Sequence, residues 1–236
     1  MERTVLVVGA GGLGCAVLPL LAAHGLRIRV YDADVVSLDN LQRQLLFRTA
    51  DVGRPKVEAA ADALARLFPG ARIEAVGERL VPEDFPAVLE GVDVVLDGSD
   101  NFPTRFLVND ACVLAGKPLV HGGILRFTGQ VMAILPGQTA CYRCLFEDLP
   151  PAGAVPSCSE AGVLGALCGI VGARMVAQAR AILEGRPAGD ELWIHDARTG
   201  RTRMVPLSRD ERCAVCGDAP TIVNLDAARY VEARAA

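Results

Sequence analysis

The chain has 236 residues, enough for one large domain, and 51% of them are hydrophobic while only 5% are aromatic, so aliphatic side chains must fill the core. A formal net charge of −4 offers no basic surface to a nucleic acid or an anionic membrane, and we expect neither as a partner. The longest uncharged apolar stretch, residues 161–173, is shorter than the roughly 20 residues that cross a bilayer. Met1 leads almost directly into an apolar strand, without a secretory pattern, so we expect a cytoplasmic protein.

Strands and helices alternate in the first 124 residues. An unbroken apolar run at residues 4–8 is typical of a buried parallel strand, and the helix predicted over residues 12–24 ends at Gly25. Further strands are predicted at 27–31, 72–76, 92–96 and from 118, and further helices at 56–68, 82–90 and 103–115. This alternation indicates a Rossmann-like, doubly wound and mostly parallel α/β sheet, in which ligands bind at the carboxyl ends of the strands.

The pattern changes after residue 124. Strands joined by tight turns are predicted at 128–135, 191–195 and 202–207, and a helix of small residues at 162–183 follows a loop rich in proline and glycine. We therefore divide the chain into a nucleotide-binding region, residues 1–135, and residues 136–236, which hold a crossover loop, a long helix, a β-hairpin and a tail. The second part is predicted to be a smaller mixed appendage of the same domain.

A glycine-rich loop follows the first predicted strand and fits the G-x-G-x-x-G pattern, which lets phosphates approach the backbone at a helix N-terminus. The next strand ends in two carboxylates, Asp32 and Asp34, and Asp32 stands at the distance typical of a ribose ligand. These features indicate bound adenosine and, taken alone, leave an ordinary NAD or FAD site open. The glycines of the loop are Gly9, Gly11, Gly12 and Gly14.

A set of polar side chains lies close behind this carboxylate pair. Arg43 offers a planar two-point grip and Lys56 a point charge, while Asn40 and Gln44 offer neutral donors. A departing pyrophosphate carries more charge than the pyrophosphate of a nicotinamide cofactor and needs cations aimed at it. A solvated amphipathic helix is the alternative, but four such side chains so near a ribose-binding carboxylate favour a triphosphate site.

Asp100 and Asn101 follow the fourth predicted strand. A carboxylate at Asp100 is well placed to hold Mg²⁺ on a triphosphate, because Mg²⁺ usually takes one or two carboxylates together with phosphate oxygens. The alternative is that either residue caps the helix that begins at Pro103, and one residue can serve each purpose.

Four cysteines form two C-x-x-C pairs, Cys141 with Cys144 and Cys213 with Cys216. Four thiolates paired in this way predict a tetrahedral structural zinc site. The pairs are far apart in sequence, so the metal would tie the C-terminal tail to the preceding hairpin region. A redox C-x-x-C pair is the alternative.

The other cysteines differ in their surroundings. Cys158 lies in the loop rich in proline and glycine, where a reactive thiol can meet a bulky partner, although an incidental loop cysteine is an equal alternative. The histidines show no paired spacing and are assigned no chemistry: His24, His121 and His195. The cysteines on predicted apolar helix faces are expected to be inert core residues: Cys15, Cys112 and Cys168.

Several motifs occur in one order along nearly the whole chain: GAGGLG, DAD, SLDNLQRQ, GRPKVE, DGSDNFPTR, CYRC, CSEAGV and CAVCG. This series resembles the ThiF/MoeB/HesA adenylyltransferases, bacterial relatives of the ubiquitin-activating enzymes. The resemblance implies that MgATP lies over the glycine loop and that a small ubiquitin-like sulfur carrier ending in Gly-Gly attacks the α-phosphate with its C-terminal carboxylate. An acyl-adenylate and pyrophosphate result, and the adenylate then receives sulfur for thiamine, molybdopterin or related biosynthesis.

The same resemblance implies residue roles, a homodimer and a separate sulfurtransferase as sulfur donor. Arg43 and Lys56 hold the phosphates and Asp100 carries Mg²⁺. Cys158 aligns with a loop cysteine that bonds the carrier in some members. The full nucleotide-binding set is Gly9, Gly11, Gly12, Gly14, Asp32, Asp34, Asn40, Arg43, Gln44, Lys56, Asp100 and Asn101.

One departure from the family pattern leaves alternatives open. Members usually begin with helices that lend an arginine to the phosphate site of the neighbouring subunit, whereas this chain starts almost at its first strand. Another arginine then substitutes, or the phosphate site is weaker, or full activity has been lost. A non-catalytic partner subunit is therefore one alternative, and an NAD-dependent oxidoreductase, supported by the glycine loop and Asp32 alone, is the other.

Overall fold

The computed structural model describes residues 3–151, 154, 162–186 and 188–231. The strands are β1 Thr4–Val8, β2 Arg27–Tyr31, β3 Arg72–Val76, β4 Val94–Asp97, β5 Leu119–Leu125, β6 Thr128–Ile134, β7 Glu191–Asp196 and β8 Arg201–Pro206. The helices are α1 Gly12–Ala23, α2 Lys56–Leu67, α3 Phe85–Val88, α4 Phe102–Leu114, the single turn α5 Tyr142–Leu145, and α6 Gly165–Leu183.

All eight strands belong to one sheet in the order β3-β2-β1-β4-β5-β6-β7-β8. The five strands from β3 to β5 run parallel, and β6, β7 and β8 each pair antiparallel with the preceding strand. The reversal begins at β5 because only two residues separate it from β6, and so short a turn can join only antiparallel strands. The predicted doubly wound, mostly parallel α/β fold with a mixed C-terminal part is confirmed, and that part extends the same sheet.

The core lies on both faces of the parallel strands. Val5 and Val7 of β1 pack in a cluster with α1, α2 and α6, whereas Leu6 and Val8 pack in a second cluster with α3, α4 and the tail. Successive side chains of a strand point to opposite faces, so an unbroken apolar run is what two covered faces require. The carboxyl ends of β1 and β4 lie side by side within this buried core. The glycine loop follows β1 at this edge of the sheet, and Asp100 follows β4.

Helix α6 is the longest helix in the described part of the chain, and it begins at Gly165 rather than at the predicted Gly162. By length and composition alone it could cross a membrane, since it continues well beyond the apolar stretch at 161–173. It packs instead on α1, β5 and β6. Glycines permit this close approach: a Cβ on Gly172 would lie 2.6 Å from the Ala16 Cβ, and one on Gly122 would lie 2.3 Å from the Met175 sulfur. We therefore describe α6 as a core helix.

Candidate functional site

A cavity of about 410 Å³ opens where the parallel strands end. Ser99, Arg105 and Cys168, none of which was assigned to the nucleotide site from sequence, contribute to its wall. The structure brings most of the sequence-predicted nucleotide residues together along the same wall: Gly11, Gly12, Asp32, Asp34, Asn40, Arg43, Gln44, Lys56 and Asp100.

The other two loop glycines shape the cavity without lining it. Gly9 has φ of +93°, a conformation that L side chains rarely adopt, and a Cβ on Gly14 would lie 2.2 Å from the Gly9 carbonyl oxygen. The loop can therefore close onto helix α1 only with glycine at these two positions. Gly11, the N-cap residue, has no side chain to bond the first helical N–H groups, which leaves them directed toward an anion in the cavity.

Asp32 couples the glycine loop to the end of β2. One carboxylate oxygen accepts a hydrogen bond from the Ala10 N–H at 2.7 Å, and the other accepts one from the Asp34 N–H at 2.8 Å. Burial raises the pKa of Asp32, while nearby Lys56 and the two backbone N–H groups oppose that rise. The carboxylate is thus held in a fixed orientation, and each oxygen keeps a lone pair that can accept a hydrogen bond from a hydroxyl group.

Asn40 organises the polar side chains on one wall of the cavity. Its Oδ1 accepts hydrogen bonds from Arg43 Nη2 at 2.6 Å and from Gln44 Nε2 at 3.3 Å, and its Nδ2 donates to Ser37 Oγ. The backbone N–H groups of Arg43 and Gln44 both donate to the Asn40 carbonyl, so all three residues lie within one turn. This turn presents the Arg43 guanidinium to the cavity, with remaining N–H donors for an anion.

Two buried polar groups in this wall point to a ligand. Lys56 is only 6% exposed, and its ammonium donates to Asp34 Oδ2 at 2.7 Å, which leaves two N–H donors for the cavity. Gln44 is 2% exposed, and its Oε1 has no hydrogen-bond partner among the described residues. A buried polar atom without a partner costs about 1–3 kcal/mol, so a ligand or water that satisfied Gln44 would recover that free energy.

The sequence left open whether Asp100 or Asn101 caps α4, and the structure assigns the cap to Asn101. Asn101 is the N-cap of α4, and its Oδ1 accepts the Thr104 N–H at 2.9 Å. Asp100 is exposed at the cavity mouth and lies nearer the nucleotide residues than Asn101, which lines only an adjoining cleft. An exposed carboxylate on the same cavity as buried Lys56 and half-buried Arg43 is a suitable oxygen ligand for a hydrated divalent cation.

His121 is a buried histidine to which the sequence assigned no chemistry, and the sequence did not predict the carboxylate with which it is paired. His121 Nδ1 lies 2.8 Å from Asp97 Oδ2, and the parallel register of β4 and β5 places the two residues side by side. Burial lowers the pKa of His121. Burial would raise the pKa of Asp97, but hydrogen bonds with His121 and Ser99 leave it below its usual range. The pairing follows from strand register, which spacing along one sequence does not reveal.

The four cysteines of the two C-x-x-C pairs meet in one cluster. Their ligand atoms all lie within 4.8 Å of one another, and three sulfur–sulfur distances are 3.4, 3.6 and 3.9 Å. Sulfurs about 2.3 Å from a tetrahedral zinc lie roughly 3.8 Å apart, so the geometry fits zinc. A hydrogen bond with Cys141 lowers the pKa of Cys144, and all four thiols are free of disulfides.

The remaining cysteines behave in three ways. Cys15 and Cys112 are buried, and burial raises the pKa of Cys15 to about 12 and that of Cys112 further, which fits inert core thiols. Cys168 is buried too but borders the nucleotide cavity, where a Cβ on Gly12 would lie 2.8 Å from its sulfur. Cys158, the predicted covalent residue, lies outside the described residues.

A second cavity, of about 650 Å³, adjoins the first. Its walls include the aromatic residues Phe102, Phe127 and Tyr142 and the exposed arginines Arg126 and Arg198. The cavity was not predicted from the sequence, because its walls come from segments that are far apart in the chain: α4, the β5–β6 turn, α5 and the end of β7.

Comparison with known proteins places these residues in a family. The model of the ThiF family matches residues 1–215. The chain belongs to the ThiF family. It is 49% identical over 228 residues to the sulfur carrier protein adenylyltransferase of Thermus thermophilus, covering 93% of this chain and 84% of that relative.

Two further relatives differ in length. The SAMP-activating enzyme E1 of Haloferax volcanii is 43% identical, with 92% of this chain and 82% of the relative covered. The adenylyltransferase and sulfurtransferase MOCS3 of Sus scrofa is 42% identical, and the match covers 94% of this chain but only 50% of that relative. The crystal structure of E. coli MccB with ATP shares the fold with a TM-score of 0.76 at 23% identity, over 91% of this chain and 67% of that one.

Proposed function

We propose that this ThiF-family protein adenylates the C-terminal glycine of a small ubiquitin-like sulfur carrier, using ATP and releasing pyrophosphate. The observation that carries the proposal is the convergence of Arg43, buried Lys56 and the unpartnered Gln44 amide oxygen on one cavity beside a glycine loop. A dinucleotide site has less need of two cations there. The relatives named as adenylyltransferases of a sulfur carrier and of SAMP support the same reaction.

The residues of the cavity would act by position and charge. Asp32 holds the ribose, while the glycine loop and the N-terminus of α1 receive phosphate oxygens. Arg43 and Lys56 stabilise the charge that grows on the departing pyrophosphate, and Asp100 holds Mg²⁺ against the triphosphate. Placing a carboxylate in line with the α-phosphate supplies most of the acceleration, because the protein performs no covalent step in adenylate formation.

The carrier would reach the α-phosphate through the second cavity. That cavity shares Asp100, Arg105 and Ile124 with the nucleotide cavity, so a chain end entering it arrives beside the nucleotide. A Gly-Gly terminus suits this route, since it has no side chains to clash with the aromatic walls. Cys158, if it acts covalently, would act after adenylation.

The assembly around this reaction is also part of the proposal. We assign nucleotide binding to residues 1–135, and the crossover loop, long helix, hairpin and tail to residues 136–236, with zinc held by the four clustered cysteines. A homodimer, a separate sulfurtransferase donor, and a cytoplasmic location complete the assignment. Molybdopterin biosynthesis is a candidate pathway, given the MOCS3 relatives.

Exchange of labelled pyrophosphate into ATP tests the proposal directly. The full chain should catalyse exchange only when a carrier ending in Gly-Gly is present. Arg43→Ala and Asp100→Ala should each lower the exchange rate at least about a hundredfold, since each removes charge stabilisation from the transition state. Arg66→Ala, an exposed arginine near the end of α2, is the matched control and should leave the rate unchanged.

Three results would count against the proposal in different ways. Exchange that survives both alanine variants would refute the site assignment. ATP that binds but never exchanges with any carrier would favour a non-catalytic partner subunit. Tight NADH binding without ATP binding, measured by calorimetry, would favour an oxidoreductase.

A further inference from the structure

A chain of hydrogen bonds runs from the buried ends of β4 and β5 to the nucleotide cavity. It begins with Asp97, the last residue of β4, and with His121, which β5 places directly beside it. It ends at Arg105 on α4, which borders both cavities. Ser99 joins the two ends and belongs to the β4–α4 turn, residues 98–101, which connects the strand to the helix.

The Asp97 carboxylate is fully buried and has a partner on each oxygen. Its Oδ1 accepts the Ser99 backbone N–H at 3.0 Å, and its Oδ2 lies 2.8 Å from His121 Nδ1. The pKa of Asp97 is below its usual range, so the group is an ionised carboxylate that only accepts hydrogen bonds. The proton between Oδ2 and Nδ1 therefore belongs to His121. The imidazole holds one oxygen of the carboxylate, and the other oxygen holds the turn.

The same chain fixes the backbone on both sides of Asp100. The Ser99 N–H is bonded to Asp97, and the Ser99 carbonyl accepts Arg105 Nε at 3.2 Å and Nη2 at 3.1 Å. Asn101, on the other side, is held as the cap of α4. Asp100 thus projects from a backbone that is anchored one residue before it and one residue after it.

The buried pair is not what stability alone would favour. His121 is 2% exposed, and its Nε2 has no hydrogen-bond partner among the described residues. A buried acceptor without a partner destabilises the folded state, and two aliphatic side chains in place of the pair would avoid that loss. A role in holding the β4–α4 turn accounts for what packing does not.

We propose that His121 is a positioning residue: its Nδ1–H orients Asp97, and Asp97 holds the β4–α4 turn. The turn then presents Asp100 and Arg105 to the nucleotide cavity. The effect on adenylation rests on the proposed function, in which Asp100 holds Mg²⁺. The effect on the turn depends on the hydrogen bonds alone. The group to test is therefore the Nδ1–H donor rather than the ring.

Two variants of nearly equal size separate the donor from the ring. In His121→Asn, the side-chain Nδ2 takes the place of the imidazole Nδ1 and still donates to Asp97, whereas His121→Leu has a similar shape and no donor. Tyr230→Phe is the control for the loss of a buried hydrogen bond elsewhere. The Tyr230 hydroxyl donates at 3.0 Å to Asp110, which supports the cysteine turn, residues 141–145, rather than the β4–α4 turn.

Pyrophosphate exchange measures the effect on the reaction. We expect His121→Leu to lower kcat at least about tenfold, because small displacements of groups around a reacting centre are costly in rate. The KM for ATP should change less than about twofold, since Asp32 and the glycine loop are held by bonds of their own. His121→Asn and Tyr230→Phe should keep kcat within about threefold of the wild-type value.

Hydrogen exchange tests the turn without metal, nucleotide or carrier. In ¹⁵N-labelled protein, the Ser99 amide and the Arg105 Nε–H each report on one bond of the chain, and Arg105→Lys assigns the second signal. Both protons should exchange with water at least about fivefold faster in His121→Leu. In His121→Asn and Tyr230→Phe, both should exchange within about twofold of the wild-type rate.

His121→Leu leaves the Asp97 charge without its partner, so its Tm is measured first. If this variant does not fold, Asp97→Leu combined with His121→Leu, which buries no charge, replaces it with the same expected losses. Equal losses in His121→Asn and in the leucine variant would overturn the proposal. So would a leucine variant with wild-type kcat or with wild-type hydrogen exchange of both protons. If the wild-type protein shows no carrier-dependent pyrophosphate exchange, the proposed function fails, and the hydrogen exchange of the two protons still decides whether His121 holds the turn.

Discussion

Removal of the Asp110 carboxylate should destabilise the protein more than the loss of any surface charge. Asp110 is fully buried on α4 and accepts hydrogen bonds from Arg143 Nε at 2.8 and 3.0 Å and from Arg143 Nη2 at 2.9 Å. Asn109 Nδ2 and the Tyr230 hydroxyl donate to it as well, each at 3.0 Å. One carboxylate thus joins α4, the cysteine turn and the C-terminal tail.

The magnitude follows from the charge that Asp110→Ala leaves behind. The Arg143 side chain is 3% exposed and cannot lose its proton, so the variant buries a guanidinium whose main counter-ion is gone. Breaking a buried pair in this way costs about 3–5 kcal/mol of unfolding free energy. The matched control is Glu184→Ala, which breaks two ion pairs of similar length, with Arg180 and Arg186, among well-exposed side chains. Solvent screens both pairs, so the control should change the unfolding free energy hardly at all.

Urea unfolding, followed by the fluorescence of the single tryptophan Trp193, measures both variants. A third variant tests the cause. Replacing both partners, Asp110→Leu with Arg143→Met, removes the charge together with its partner and should recover most of the loss. If the double variant is no more stable than Asp110→Ala, the loss comes from packing and the electrostatic reasoning is wrong.

Three further predictions follow from the described contacts. Gly14→Ala should abolish ATP binding, measured by calorimetry, because its Cβ would lie 2.2 Å from the Gly9 carbonyl oxygen. The control, Gly169→Ala, lies on an open helix surface and should raise the unfolding free energy by about 0.5–1 kcal/mol. Equal effects of the two variants would contradict the geometry. The unfolding free energy, measured between pH 7 and pH 5, should fall as the pH drops below about 6.5. Burial lowers the pKa of His121 in the folded state, so the unfolded chain takes up the proton first. If His121→Gln shows the same slope of unfolding free energy against pH, this explanation is wrong. Elemental analysis should find about one zinc per chain, lost in Cys213→Ser with a lower Tm, and a Cys141–Cys144 disulfide in its place would exclude the zinc site.

Much of the fold was predictable because its signals are local. The strands β1 and β4 are continuous apolar runs, which two covered faces require, and Gly25 marks the end of α1, so the alternating pattern could be predicted along the chain. The clustering of the two C-x-x-C pairs was also predictable, because thiols at that spacing share a ligand geometry.

The contacts that sequence reasoning missed all depend on register or packing between distant segments. His121 meets Asp97 because β5 pairs with β4 in one particular register. Arg105 borders both cavities only because the β5–β6 turn and the cysteine turn pack near the first turn of α4. The helix cap was not missed in this way: the sequence allowed either Asp100 or Asn101 to cap α4, and the structure has Asn101 there.

Helix α4 is the element that the nucleotide site and the cysteine turn share. Its first turn carries the Asn101 cap and Arg105, and the residues that hold the cysteine turn, Asn109 and Asp110, follow about one turn later. A helix transmits a displacement along its axis with little loss, since its backbone bonds and buried face keep it rigid. A change in the cysteine turn should therefore reach Arg105 along α4, through the contacts of Asn109 and Asp110 with that turn.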